Sequence, residues 1–165
     1  MTEAEKQLPR RQVSLAELEP LIREAFAAHK AFGLPVTGTS NLPTLSGGRD
    51  SILLGEADGS LKRGDLPLYR RDSGQYVLHR VISIQPDGTY TCCGDNQTAL
   101  EPGIRPDQII GKVVWIKRKG KEFSAQSLGY RLWVRLWGFL FPCRGFLLRI
   151  YHAAGRCRKK LFSRG

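Results

Sequence analysis

The sequence predicts a mainly β protein with helical segments on both sides of its β region. Between Val36 and Lys117 the chain consists of short runs of β-favouring residues separated by turn residues. Before them, Ser14 to Glu17 have the form of a capping box, and apolar residues then recur at helical spacing. Helical spacing returns between Leu128 and Lys160. The expected order is therefore an N-terminal amphipathic helix, an all-β module and a basic, aromatic helical tail.

The N-terminal helix is predicted by an apolar stripe that ends near His29. The stripe consists of Leu15, Leu18, Ile22 and Phe26. Pro20 lies within this stretch, and a proline in a helix interior costs a hydrogen bond unless the helix begins at Glu19. Residues 1–12 offer almost nothing to bury, so we expect a disordered lead-in there. The predicted segments are the lead-in (1–12), the N-terminal helix (13–35), the β domain (36–119), and the linker and tail (120–165).

Two features of the β domain are predicted in detail. Tyr76 to Ile84 form the best strand candidate, with His79 on the same face as Val77 and Val81. Pro86 to Gly88 lie between two β-type runs and predict a hairpin turn. After the β domain, Gly120 to Gln126 are interpreted as a linker.

Composition and charge exclude several classes of protein. The chain has 165 residues, 41% of them hydrophobic, which suits one domain with appendages. Its formal charge of +11 predicts an anionic partner, and much of the excess follows Ile116. The four cysteines show neither a CxxC pair nor zinc-site spacing, so we expect reduced thiols in a cytosolic protein, without a metal or cofactor. The sequence also lacks a secretory signal and a run of about 18 apolar residues, which predicts no conventional transmembrane helix.

Three separate segments offer the side chains of a serine hydrolase. Ser40 lies in a turn bounded by glycine and proline, where its own N–H is available to an oxyanion. His79 offers a base whose ordinary pKa is near neutral pH, and Asp95 offers a carboxylate that would orient that base. Each residue alone is more typical of a turn or of a structural histidine. The hypothesis therefore depends on the three side chains meeting.

The order of these segments resembles the type I signal peptidases. The similar blocks are Gly38-x-Ser40-x-x-Pro43-Thr44-Leu45, Gly64-Asp65, His79-Arg80, Gly94-Asp95-Asn96 and Ile109-Ile110-Gly111-Lys112-Val113. The resemblance covers about Val36 to Ile116, and His79 before Arg80 makes the chain similar to the endoplasmic-reticulum type. It implies coiled antiparallel sheets, a fold shared with LexA-type repressors. It also implies that Ser40 is the nucleophile and an oxyanion donor, His79 the general base and Asp95 its orienting acid.

The chain departs from this family in two ways. Asn41 stands where the family has methionine in the floor of the substrate site, although Asn41, Leu42 and Pro43 remain the expected substrate-binding residues. The N-terminal membrane span of the family is not found, so we expect a leader or precursor peptide or preprotein as substrate, processed from the cytoplasmic side. An inactive peptide-binding module of the same fold is the alternative that Asn41 favours. A LexA-like autoproteolytic switch is a third, with Ala154-Gly155 as a nominal cleavage site.

The tail is predicted to lie on the inner face of an anionic membrane. Tryptophan favours the headgroup level and arginine favours anionic phosphate. The expected membrane-facing residues are Trp133, Trp137, Arg135 and Arg144. The alternative is a helix that packs its tryptophan and leucine stripe on the β domain. Nucleic acid is a weaker alternative, since no nucleic-acid module accompanies these residues.

Overall fold

The computed structural model describes residues 14–57 and 60–162, with side chains up to Arg156 in the last helix. Two curled antiparallel sheets occupy its centre, and helices lie before and after them. The prediction of a mainly β protein between helical segments is confirmed. The predicted lead-in at residues 1–12 lies outside the described residues.

The helices and strands are numbered in the order in which they occur along the chain. They are α1 (Leu15–Ala27), β1 (Phe32–Pro35), β2 (Ser51–Gly55), β3 (Pro67–Arg70), β4 (Tyr76–Leu78), β5 (Arg80–Ile84), β6 (Tyr90–Cys93), β7 (Glu101–Ile104), β8 (Ile109–Arg118), β9 (Lys121–Ser124), α2 (Leu128–Phe139) and α3 (Arg144–Phe162). Short 3₁₀ turns at Pro106–Gln108 and Phe141–Cys143 precede β8 and α3.

The N-terminal helix begins at its predicted capping box. The Glu17 N–H donates to the Ser14 hydroxyl at 3.3 Å, and the Ser14 N–H donates to the Glu17 carboxylate at 2.9 Å. The helix keeps Pro20 in its interior, so a start at Glu19 is wrong. Ile22 and Phe26 are buried and join the core of the larger sheet. This buried face outweighs the single hydrogen bond that the proline removes.

The two sheets differ in size, and residues of both form one of the two buried hydrophobic clusters. The larger sheet has the order β1-β2-β8-β3-β4, with β9 paired to β8, and the smaller one has the order β5-β6-β7. Two predicted segments need correction. β1 already forms a strand at Phe32–Pro35, before the expected start of the β domain, and Lys121–Ser124 is a strand of the larger sheet rather than a linker.

The predicted strand from Tyr76 to Ile84 is divided at His79. Leu78 pairs with Leu68 in the larger sheet, whereas Arg80 pairs with Cys93 in the smaller one. His79 itself belongs to neither strand. The chain therefore passes from one sheet to the other at this residue, so the expected alternation of faces through His79 is wrong. The hairpin predicted at Pro86 to Gly88 is present, with the Gln85 N–H donating to the Thr89 carbonyl at 2.8 Å.

The tail forms two helices that pack on the β domain. Trp137 of α2 and Leu148 of α3 are buried, and Arg144 at the start of α3 is completely buried. No helix in the described part of the chain combines the length and the apolar character needed to cross a bilayer.

Candidate active site

The Ser40 segment is a tight loop between β1 and β2. Gly38 has a φ of 72°, a left-handed conformation that favours glycine, and its carbonyl accepts from Gly47 N–H at 3.1 Å. The Leu42 N–H donates to the Thr39 carbonyl at 3.2 Å and closes the turn around Ser40. No described residue accepts a hydrogen bond from the Ser40 N–H. This donor is therefore available to an oxyanion.

Asn96 ties the Ser40 loop to the end of β6. Its backbone N–H donates to the Ser40 carbonyl at 2.8 Å, and its side-chain amide donates to the Thr39 carbonyl at 3.0 Å. Gly94 allows the close approach, because a Cβ atom there would lie 2.6 Å from the Ser40 carbonyl oxygen and 3.1 Å from Nε2 of His79. The Gly94-Asp95-Asn96 block thus holds the serine segment, and the missing side chain at Gly94 leaves room for the Ser40 carbonyl and the imidazole to lie close together.

The His79 ring is buried and has different neighbours at its two nitrogens. Nδ1 lies 3.5 Å from the Tyr69 hydroxyl and 3.6 Å from Oε2 of Glu101. Nε2 lies on the side of the Ser40 segment. Burial lowers the pKa of His79, and the Glu101 carboxylate only partly offsets this effect. The ring is therefore neutral at pH 7 and has a free acceptor for a proton.

Glu101 is itself held in place by two donors. The Tyr69 hydroxyl donates to its Oε2 at 2.7 Å, and Arg71 donates to both carboxylate oxygens at 2.6 and 2.7 Å. Burial alone would raise the pKa of Glu101, but the hydrogen bonds from Arg71 and Tyr69 outweigh it and lower that pKa. Glu101 is therefore an anion at neutral pH beside the imidazole.

Asp95 does not contact His79 as the sequence predicts. Both of its carboxylate oxygens accept from Arg80, at 2.8 and 2.6 Å, and the pair is completely buried. Because His79 and Arg80 are consecutive residues at the junction between the sheets, the two carboxylates serve different neighbours. Asp95 neutralises Arg80, and Glu101 takes the place beside the imidazole that the sequence assigned to Asp95.

Ser40 and His79 line one groove, which has a volume of about 340 Å³. Part of its remaining wall is apolar and comes from α1, from strands of the larger sheet and from the residue after β1. These apolar residues include Leu15, Leu18, Leu34, Val36, Ile52, Leu68 and Val77. No hydrogen bond joins the Ser40 hydroxyl to the imidazole within residues 14–57 and 60–162. The groove thus presents an alcohol and a neutral base beside an apolar surface.

The three expected substrate-binding residues lie at different places. Asn41 is buried beneath the groove, and its amide donates to the Leu78 carbonyl at 2.7 Å, while its Oδ1 has no hydrogen-bond partner among the described residues. Leu42 and Pro43 lie farther along, in a second cleft beside α3. Asn41 therefore braces the strand before His79, whereas Leu42 and Pro43 do not line the Ser40 groove.

Three of the four residues expected at the membrane pack on the protein instead. The Trp133 indole donates to the Thr44 hydroxyl at 3.0 Å, and the Trp137 indole donates to the Asp95 carbonyl at 3.2 Å. Arg144 stacks on the Trp137 ring with its guanidinium carbon 5.2 Å from the ring centre. Of the four, Arg135 alone is exposed. The alternative of a helix packed on the β domain describes these residues.

A comparison with known proteins gives no further guidance. No protein-family model matches the chain, and neither does any curated protein or solved structure. Within the described residues, no cluster of three or more His, Cys, Asp or Glu side chains has the arrangement needed to hold a metal ion. The candidate site therefore depends on its own geometry.

The sequence did not identify Tyr69 and Glu101 as members of the site. Tyr69 lies in a β-type run, and Glu101 lies in the four-residue strand β7, which contains a proline and a glycine. Neither residue has a local pattern that distinguishes it from an ordinary strand residue. Only the pairing of β3 with β4 and of β6 with β7 brings them to His79.

Proposed function

We propose that this protein is a serine endopeptidase of the signal-peptidase type that cleaves a leader or precursor peptide. The observation that carries the proposal is the groove shared by Ser40 and a neutral, buried His79, with Glu101 behind the ring. The five sequence blocks that resemble type I signal peptidases, and the curled antiparallel sheets that this family implies, add support. The proposed fold is the signal peptidase/LexA-like one.

In the proposed mechanism, Ser40 attacks the peptide carbonyl while Nε2 of His79 accepts its proton. The new bond joins Ser40 Oγ to the carbonyl carbon, and the Ser40 N–H donates to the developing oxyanion. His79 then gives its proton to the departing amine. The nearby Glu101 carboxylate stabilises the positive ring in between. Water releases the acyl group with the same histidine acting as base.

The test is cleavage of a proteome-derived peptide library, read by mass spectrometry. We expect Ser40→Ala and His79→Ala each to reduce cleavage at the preferred sites by about 10³-fold or more. Ser73→Ala and His29→Gln, which change exposed residues, serve as matched controls and should cleave normally. Cleavage that persists in both site variants would show that another group performs the chemistry.

A peptide-binding module is the second candidate. It is favoured by the absence of a hydrogen bond between the Ser40 hydroxyl and the imidazole within the described residues, and by the buried Asn41. A binder would retain library peptides intact. Capture of the same peptides by the wild-type protein and by Ser40→Ala, without any cleaved product, would select this function.

We further propose that the outward face of α2 docks on an anionic membrane surface. Four large apolar side chains of this helix are more than half exposed, and they follow one another at helical spacing: Leu128, Leu132, Leu136 and Phe139. Arg131 and Arg135 are exposed between them. No aspartate or glutamate follows Glu122 in the sequence. An apolar stripe with cationic neighbours is complementary to lipid headgroups of negative charge.

A further inference from the structure

A second groove begins at His79 on the side away from the apolar wall. It runs between the loop before β7 and helix α3 and has a volume of about 1020 Å³. His79, Arg71 and Gln97 line both this groove and the Ser40 groove. An extended chain that crosses the imidazole therefore passes from an apolar wall to the surface of α3.

The α3 side of this second groove is cationic. Arg149 and Arg156 line it with exposed guanidinium groups. No carboxylate of residues 14–57 or 60–162 pairs with either group. Glu101 is the acidic residue of the lining, and its charge is already matched by Arg71. The groove therefore has unmatched positive charge beside the proposed base, His79.

Contacts with the β domain fix the position of α3. Nε2 of His152 on α3 lies 2.8 Å from the side-chain oxygen of Asn96, so the helix is tied to the residue that also holds the Ser40 loop. Leu148 is buried beneath the helix and fixes its position. Arg149 and Arg156 are thus presented by a helix whose place relative to Ser40 is set by these contacts.

We propose that the substrate carries an acidic segment on the side of the cleavage site that lies along α3, where Arg149 and Arg156 bind it. This inference rests on the proposed peptidase function and adds the class of substrate. The cationic groove selects aspartate and glutamate by charge, while the apolar groove on the other side of His79 takes an uncharged stretch. The acidic segment sets the register of the peptide across the catalytic pair.

The test uses synthetic peptides with a fluorescein label and an alanine-rich centre. One end carries a block of aspartate, asparagine or lysine, and each peptide is made in both orientations so that both directions of the bound chain are sampled. Binding to the Ser40→Ala protein is measured by fluorescence anisotropy at low salt, and cleavage by the wild-type protein is measured by mass spectrometry. We expect one orientation of the aspartate peptide to bind about fivefold more tightly than its asparagine counterpart, as two exposed charge pairs would give.

The double substitution Arg149→Gln with Arg156→Gln should abolish this preference, measured in the Ser40→Ala background. The matched control is Lys62→Gln with Arg63→Gln, which removes the same charge from an exposed loop and should leave the preference intact. Equal loss in both double variants, or equal binding of the aspartate and asparagine peptides, would overturn the proposed acidic segment.

The two proposals fail in different ways. If the wild-type protein cleaves all the peptides equally well, the peptidase stands and the acidic specificity is wrong. If aspartate peptides bind through Arg149 and Arg156 but none is cleaved, the groove recognises acidic peptides and the peptidase function is wrong.

Discussion

At the residue scale, the protonation of His79 is controlled by its neighbours. Burial lowers the pKa of the ring, Glu101 raises it, and Arg71 lowers it again. A base whose folded pKa is below its ordinary value is unprotonated at neutral pH and takes a proton only in more acidic solution. The proposed peptidase activity should therefore persist below pH 6.5 and be lost as pH falls through the pKa of His79 in the folded protein.

Glu101→Gln should move this acidic limb to lower pH. The substitution removes the carboxylate that favours the charged ring, so the pKa of His79 falls further. It also removes the anion beside the ring during catalysis, and we expect the rate at neutral pH to fall by about tenfold to 100-fold. The pH profile of cleavage checks both effects, with Glu122→Gln at an exposed carboxylate as control. A limb that stays in place or moves to higher pH would contradict this role of Glu101.

At the element scale, α2 is a structural part of the β domain as well as a candidate docking surface. Its inward face places two stacked indoles, with ring centres 5.3 Å apart, against Thr44 and the Asp95 carbonyl. Its outward face leaves Phe139 80% exposed, whereas Trp137 is only 7% exposed. The same helix therefore contains a residue that folding buries and one that it leaves to solvent or to a partner.

Trp137→Ala should lower the free energy of unfolding by about 3–5 kcal/mol, because it empties a buried site and removes one of the two aromatic rings that contact the Arg144 guanidinium, the other being Phe141. Phe139→Ala is the matched control on the same helix and should change that free energy by less than about 0.5 kcal/mol. Urea denaturation followed by circular dichroism measures both. Similar values for the two variants would mean that α2 does not pack as described.

At the scale of the whole molecule, Arg80 joins parts that are distant in sequence. Besides Asp95, it donates to the Gly64 carbonyl at 2.8 Å and to the Tyr130 hydroxyl of α2 at 3.3 Å. Burial alone would lower the pKa of Arg80, but Asp95 outweighs it and raises that pKa, so Arg80 stays charged. This buried pair connects the smaller sheet, the loop before β3 and the tail. The proposed site and the proposed docking helix thus share one support.

The docking surface is tested with vesicles of phosphatidylcholine, with and without phosphatidylglycerol. We expect the wild-type protein to float with the anionic vesicles, and Leu132→Gln with Phe139→Gln to remove this binding. Leu53→Gln with Trp115→Gln changes exposed apolar residues of the larger sheet and is the matched control. Unchanged flotation of the α2 variant would contradict the proposal. The proposal would also be contradicted if the wild-type protein were a dimer and this variant a monomer, because a second copy of the chain would then cover the outward face of α2.

Local sequence patterns predicted the helix start and the turn that are determined by residues close together in the sequence. The capping box at Ser14 determined where α1 begins, and Asp87 and Gly88 determined the β5–β6 turn. The periodic pattern failed at His79 because it cannot show that a chain leaves one sheet and enters another. It also failed at Lys121–Ser124, where pairing with β8 rather than intrinsic preference forms the strand.

The sequence by itself identified two side chains of the candidate site, because Ser40 lies in a turn bounded by glycine and proline and His79 offers a base with an ordinary pKa near neutral pH. Tertiary structure alone decided which carboxylate serves which cation. Asp95 and Glu101 are both near the end of β6, and a buried charge is costly unless it is paired. In the fold Asp95 pairs with the buried Arg80, and Glu101 lies beside His79. The same division applies to the tail. Its sequence determined an amphipathic helical pattern, and packing decided which face the β domain covers.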